Sequence, residues 1–331
     1  MRAGMRDSRW LVPASILVTV QYASALTLSH AIAFPTRPPI FSYLLIAFIL
    51  SAAGGLVIGL SWLWSLWRAN EQNPAQRLLR ETDFGAIAAY VIGFQLVALQ
   101  MGALTWLKDM LPLVVPYWAD PALAKLDRTF LGVDAWRIVP EFLIRPLDIA
   151  YAHWGPVKTI ALILMLSLPP SQMKSRAMLA FFLTVGLLGV TGQYLLSSAG
   201  PMFYAQLGFG DQYAPMLARL DEHAPIARAA SSYLWQAYLG NDATIGSGIS
   251  AMPSMHVAMT SWAALALSAA WPRLRLPMWS FVVVMLVGSF ALGWHYVSDG
   301  VAGVLGAILC WKLAGTYLAS RTTPNVAAVS V

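Results

Sequence analysis

Two short segments near the C-terminal end of the chain carry residues that can form covalent intermediates. Residues 252–256 are MPSMH, and residues 293–299 are GWHYVSD. Asp299 follows His295 by four residues, so on a helix the two side chains would share one face. A carboxylate beside an imidazole fixes its tautomer, and such an imidazole can attack phosphorus. His256, when protonated, can donate to the leaving oxygen, so the set predicts phosphoryl transfer.

A helix start beside these histidines would hold the phosphate. Ser254 can cap the helix that contains His256, and backbone N–H groups around Met255 would then point at an anion. The set supplies a nucleophile, its orienting carboxylate, an acid and an anion cradle, and it requires neither a metal nor a cofactor. Two alternatives stay open: the histidines and Asp299 could ligate zinc, or the histidines could be packing residues.

The elements that must position these residues are apolar helices. The chain of 331 residues is 58% hydrophobic and only 11% charged, whereas soluble domains carry about a quarter charged residues. A helix needs about 20 apolar residues to cross a bilayer. We therefore predict an all-α, polytopic membrane bundle of about eight spans. The runs are Trp10–Phe34, Ile40–Trp67, Phe84–Leu107, Ile149–Leu168, Ala177–Ala199, Met255–Trp271, Leu276–Trp294 and Val297–Leu318.

The sixth and seventh runs form a hairpin that explains the spacing of the two segments. His256 begins the sixth run and His295 follows the seventh, so both lie at the same end of the hairpin. Lysine and arginine favour the cytoplasmic side. With the N-terminus inside, eleven basic residues lie in inside segments and eight in outside segments. We expect a multi-pass cell-membrane protein with cytoplasmic termini and an extracytoplasmic active site.

Domain organisation follows the same runs. We expect an N-terminal transmembrane hairpin at 1–83 and a core at 84–331, with outer loops 108–148 and 200–254. The first run also resembles a signal peptide, because arginines precede an apolar stretch that ends in Ala31-Ile32-Ala33. One cysteine, Cys310, excludes an intrachain disulfide and a cysteine metal cluster. Basic residues in short clusters between apolar runs do not predict nucleic-acid binding.

The histidine segments resemble the type 2 phosphatidic acid phosphatase superfamily. That family carries P-S-G-H and a later S-R-x5-H-x3-D, and Pro253-Ser254-Met255-His256 matches the first with methionine for glycine. His295 and Asp299 match the second. The resemblance, over about 177–318, implies a six-helix core, a phosphorylated His295 oriented by Asp299, and His256 as the acid for the leaving group. It also implies a lipid phosphate substrate.

Two cationic positions of the family pattern differ in this chain. Gly288 and Ser289 stand where the serine-arginine pair is expected, and K-x6-R-P is absent, since Ile138 precedes Arg145-Pro146. The inositolphosphotransferase branch, which includes inositol phosphorylceramide synthases, is similar around M-P-S-x-H and H-Y-x-x-D. The resemblance to that branch implies an alcohol acceptor such as inositol.

Other groups must then bind the phosphate. Candidates are the helix start at Ser254 and Met255, together with Gly200, Pro201, Tyr194, Arg219 and Arg228. Lys158 lies near the outer end of the fourth run, where we expect it to snorkel to the interface. The partners expected are membrane lipids and the lipid phosphate. The rival interpretation is a transporter or flippase, although those proteins tend to have paired broken helices.

Overall fold

The computed structural model describes residues 2–240 and 243–321, and within these ranges every regular element is helical. The α-helices are α1 Arg2–Ala31, α2 Ile40–Arg68, α3 Pro74–Glu81, α4 Phe84–Val114, α5 Asp120–Leu131, α6 Ile144–Ala152, α7 Trp154–Ser167, α8 Gln172–Leu183, α9 Gln193–Leu195, α10 Ala214–His223, α11 Pro225–Gly240, α12 Met255–Ala270, α13 Arg275–Ala291 and α14 Val297–Ser320. A π-helical segment, Thr184–Gly192, joins α8 to α9. Single 3-10 turns are Ala135–Ile138, Glu141–Leu143, Pro201–Phe203 and Pro272–Leu274.

The predicted all-α membrane bundle is confirmed. Seven helical segments of the described chain are long and apolar enough to cross a membrane, and an eighth, α12, is apolar but only 16 residues long. The fourth span is a joined pair, α6 and α7, that breaks at His153.

The predicted outer segment 108–148 begins within helix α4. This helix continues to Val114, so Lys108 and Asp109 are helical. The apolar run ends at Leu107, but the helix does not, because Met110 and Leu111 are fully buried. The outer loop 200–254 also contains two helices, α10 and α11.

Helices α1 and α2 pack on the remaining spans. Trp10 is fully buried and stacks on Phe182, with ring centroids 6.2 Å apart. Asp7 accepts hydrogen bonds from Trp10 Nε1 (2.9 Å) and Lys174 Nζ (3.1 Å), which joins α1 to α8 through a buried ion pair. On α2, Tyr43 shares a 2.6 Å hydrogen bond with Thr105 of α4. The N-terminal hairpin and the core therefore share one interior.

Candidate active site

His295 lies in the tight connection between α13 and α14. Its backbone N–H donates to the Ser289 carbonyl (3.1 Å), and the ring is 3% exposed. Nδ1 lies 2.9 Å from the carbonyl oxygen of Ala251. A carbonyl can only accept, so Nδ1 carries the proton and the lone pair of the neutral ring is on Nε2. The fold therefore holds His295 in the tautomer that a nucleophile requires.

Asp299 stands beside the same nitrogen in the first turn of α14. Its Oδ2 is 3.5 Å from His295 Nδ1 and accepts a 2.9 Å hydrogen bond from the Tyr296 N–H. The carboxylate is fully buried, and Oδ1 has no hydrogen-bond partner in the described part of the chain. Asp299 thus caps α14 and places negative charge beside the imidazole. The predicted pairing is present, but the Ala251 carbonyl is the closer partner.

His256 occupies the first turn of α12 and faces His295. Ser254 caps the helix by accepting from the Val257 N–H (3.4 Å). His256 Nδ1 lies 3.3 Å from His295 Nε2. Trp154 and Tyr151 pack on the ring, with centroid distances of 4.6 and 5.1 Å. The hairpin therefore brings together the two imidazoles that the sequence places 39 residues apart.

The carbonyl of Ala251 is itself held in place. The Ala251 N–H donates to Ser198 O (2.8 Å), and the Met252 N–H donates to Ser198 Oγ (2.9 Å). Gly200 has φ +92°, and a Cβ there would collide with the Trp294 carbonyl. The segment around Ser198 and Gly200 therefore holds the backbone of Ala251, which contacts His295, and packs against Trp294, which precedes it.

Two carboxylates that the sequence pattern did not point to, Asp120 and Asp127, hold the backbone around His295. Asp120 accepts from the Ala199 and Gly200 N–H groups (both 2.8 Å) and from Tyr296 Oη (2.9 Å). Burial raises the pKa of Asp120 to about 6, and these three hydrogen bonds oppose the rise. Asp127 caps α14 by accepting from Val297 N (2.6 Å) and Ser298 N (3.2 Å).

A cavity of about 500 Å³ opens on the two histidines. Its walls come from α2, α4, α7 and the outer loop, and most of them are apolar. Apolar lining residues of the spans include Ile46, Leu50, Phe94, Val97, Met101 and Leu162. Met255 also lines the cavity. The site thus joins a polar end to an apolar chamber, the usual layout of a ligand pocket.

Six of the seven predicted phosphate-binding residues lie outside this cavity lining. Tyr194 donates to the Leu107 carbonyl (2.6 Å). Arg219 donates to the carbonyls of Trp136 and Val139 (2.8 and 2.9 Å), and Arg228 pairs with Asp221 (2.6 Å). Gly200 and Pro201 belong to the segment that holds the backbone near His295. Neither offers a free N–H donor to the cavity, because the Gly200 N–H donates to Asp120 and proline has no N–H. Of the predicted set, Met255 faces the cavity, and Ser254 acts as the cap of α12.

The cations at the cavity are Lys108 of α4 and Lys158 of α7. Lys158, which we expect to snorkel to the interface, also lines the cavity. Its Nζ lies 4.6 Å from the centre of the Trp154 ring, on the residue that packs against His256. The sequence signal for both was a lysine in or directly after an apolar run, which does not distinguish a cavity from an interface.

Among the described residues, no group of three or more His, Cys, Asp and Glu is arranged to hold a metal ion. Cys310 is buried and unbridged.

A family model described as the PAP2 superfamily matches residues 123–313, which is more than half of the chain. The matched range contains His256, His295 and Asp299, and it begins after Lys108 and Asp120. No curated protein matches the chain, and no solved structure does either.

Proposed function

The chain belongs to the PAP2 superfamily, and from that membership and the geometry of the two histidines we propose that it transfers the phosphoryl group of a lipid phosphate through a phosphohistidine at His295. Membership supports phosphatase-type chemistry in general. The observation that carries the finer proposal is the 3.3 Å approach of His256 Nδ1 to His295 Nε2, at the wall of an apolar cavity.

In the first half-reaction, the lone pair of His295 Nε2 attacks phosphorus and the bond from phosphorus to the leaving oxygen breaks. His256, protonated, gives its proton to that oxygen. Asp299 stabilises the positive charge that develops on the His295 ring. In the second half-reaction, an O–H group attacks phosphorus, His256 takes its proton, and His295 Nε2 leaves.

The chain supplies its own nucleophile, so we propose a reaction that is independent of metal and cofactor. The apolar walls contributed by α2, α4 and α7 favour a substrate with a hydrocarbon tail. The acceptor in the second half-reaction is water in a phosphatase and an alcohol in a transferase. The M-P-S-x-H and H-Y-x-x-D segments favour the inositolphosphotransferase branch and an acceptor such as inositol.

We also propose that the site faces the extracytoplasmic side of the cell membrane and that both termini are cytoplasmic, because the short segments at the opposite end are rich in arginine. A cysteine at exposed Lys125, near the site, in a Cys310→Ser background should react with an impermeant thiol reagent in intact cells. A cysteine at exposed Arg273 should react only after lysis, and the reverse pattern would invert this orientation.

The test of function uses the purified full chain in liposomes with ³²P-labelled lipid phosphates, with and without inositol. We expect release or transfer of label that persists in EDTA, inhibition by vanadate, and a base-stable, acid-labile phosphoenzyme that is absent from His295→Ala. Movement of lipid between leaflets without release of label would favour the transporter or flippase instead.

A further inference from the structure

We propose that Lys108 and Lys158 form the phosphate-binding pair of this site and hold the non-bridging oxygens of the phosphoryl group while His295 attacks. The inference rests on the proposed function, since it assigns residues to the same reaction. It starts from the gap in the sequence pattern: Gly288 and Ser289 stand where the superfamily pattern places a serine and an arginine.

The two lysines are the cations, apart from the histidines, that line the cavity of the described chain. No hydrogen bond or ion pair joins either ammonium to another described residue, although Lys158 Nζ lies over the Trp154 ring (4.6 Å). Both lysines are half-buried, and a charge partly removed from water ordinarily has a charged partner, because an unpaired charge there is costly. Lys174, at the opposite end of the bundle, shows the ordinary case, since its Nζ lies 3.1 Å from Asp7 in a fully buried pair.

The nearby carboxylates have other partners. Both oxygens of Asp148 accept from the N-terminus of α11, at Ile226 N (3.0 Å) and Ala227 N (2.9 Å). Asp109 accepts from Ser247 Oγ (3.0 Å). Two lysines without a carboxylate partner therefore line the cavity, and an anionic ligand would complete their coordination.

Both lysines are positioned relative to the histidines. Lys158 and His256 contact the same Trp154 ring, each 4.6 Å from its centre. Gly248, with φ +89°, packs its backbone directly on the stem of Lys108, where a Cβ would collide with Lys108 Cβ. A phosphoryl group placed for attack by His295 would thus have cations from α4 and α7 beside it.

Fixed cations suit this chemistry, because phosphoryl transfer is catalysed mainly by positioning and by stabilising charge on the equatorial oxygens. A hydrogen bond to a charged partner contributes enough that losing one should weaken anion binding by roughly 10-fold or more.

The experiment measures orthovanadate binding to the full chain in detergent by the shift in unfolding temperature, which needs no turnover, and the vanadate inhibition constant where turnover is found. Lys108→Met and Lys158→Met should each weaken binding about 10-fold or more, and the double variant more than either. Lys125→Met, an exposed lysine of α5, should stay within about 2-fold of wild type. Lys158→Arg should recover part of the loss.

Methionine fills the space of lysine without its charge, so the variants should retain the unfolding temperature of wild type without vanadate, which separates misfolding from lost binding. Equal vanadate binding in folded Lys108→Met, Lys158→Met and wild type would overturn the lysine assignment while leaving the phosphohistidine proposal intact. Vanadate binding that is lost in both methionine variants, with no phosphoenzyme in wild type, would support the anion site and overturn the proposed reaction. Failure of wild type to bind vanadate at all would overturn both.

Discussion

The Nδ1 atom of His256 lies 3.3 Å from the Nε2 atom of His295, and the opposite nitrogen of His295 is held by the Ala251 carbonyl. This arrangement makes the two histidines unequal. The His295 ring has a fixed lone pair on Nε2 that faces His256. Among the described contacts, no backbone group restrains the His256 ring in the same way. This difference predicts different catalytic roles for His256 and His295, and substitution of each histidine in turn can separate them.

The first prediction concerns the leaving group. His295→Ala removes the nucleophile and should abolish turnover of every substrate. His256→Ala removes the acid, so it should lose less activity on nitrophenyl phosphate, whose oxygen leaves without a proton, than on an alkyl phosphate. Turnover of both variants on both substrates measures this. Recovery in His295→Ala but not in His256→Ala would reverse the roles.

The second prediction concerns Asp299. Replacement of a carboxylate that alone fixes a histidine tautomer has cost about 10⁴-fold in another enzyme. Here the Ala251 carbonyl also holds His295 Nδ1 (2.9 Å), so Asp299→Asn should keep the tautomer and cost less, roughly 10²-fold in kcat. The measurement is kcat after a check of the unfolding temperature, because Asp299 also caps α14. A loss of 10⁴-fold or more in a stably folded variant would contradict the role given to Ala251.

The third prediction concerns the apolar chamber. Leu50→Trp on α2 would fill part of the cavity and should reduce turnover of long-chain lipid phosphates while sparing nitrophenyl phosphate. Leu56→Trp is the matched control, since Leu56 is on the same helix but 63% exposed on its outer face. Kinetics with a series of chain lengths provide the test. Equal effects of the two tryptophans at every chain length would mean that the chamber does not hold the tail.

The spans were predictable because each is a continuous apolar run of roughly the length that crosses a bilayer. The proximity of His256 and His295 followed from the hairpin of α12 and α13. The ends of helices were less predictable, since α4 continues past its last apolar run to Val114 and buries Met110 and Leu111 beyond that run.

The supports of the site could not be predicted from sequence. Ala251 contributes a backbone carbonyl, which no side chain reveals. Asp120 reaches Gly200 across 80 residues, and Lys108 meets the cavity only because α4 is longer than its apolar run. Arg219 and Arg228 were predicted to bind phosphate from their charge alone. The sequence did not reveal that Arg219 donates to the Trp136 carbonyl and that Arg228 pairs with Asp221.

The fourth prediction separates backbone strain from steric contact at Gly200. Gly200→Ala would place a Cβ against the Trp294 carbonyl at φ +92°, whereas Gly208→Ala, at φ +81°, meets open space. Gly208→Ala should lose about 1 kcal/mol from the unfavourable φ, and Gly200→Ala at least as much, since its φ of +92° and ψ of 165° lie in a region essentially restricted to glycine. Gly200→Ala should lose more and also lower kcat, because Trp294 precedes His295. Unfolding temperatures and turnover measure the difference, and equal losses in the two variants would remove the argument from contact.

The fifth prediction is the pH dependence of stability from Asp120. Burial raises its pKa to about 6, against about 3.9 for an unfolded aspartate, so the folded protein binds this proton more tightly. The contribution of protonated Asp120 to the free energy of unfolding is therefore full below pH 4 and is lost as the pH rises to 6. The change in the free energy of unfolding over this range is on the order of 3 kcal/mol. The unfolding temperature of wild type minus that of Asp120→Asn should fall across this range and then level off.

The matched control for Asp120 is Asp211→Asn, an exposed carboxylate of the outer loop, whose unfolding temperature should follow that of wild type at each pH. Asp120→Asn will be less stable throughout, because one acceptor facing the Ala199 and Gly200 N–H groups becomes a donor. The slope of the difference with pH, and not its size, therefore tests the raised pKa. A difference that grows as the pH rises from 4 to 6 would mean that the three hydrogen bonds outweigh burial and that the folded site favours the ionised carboxylate.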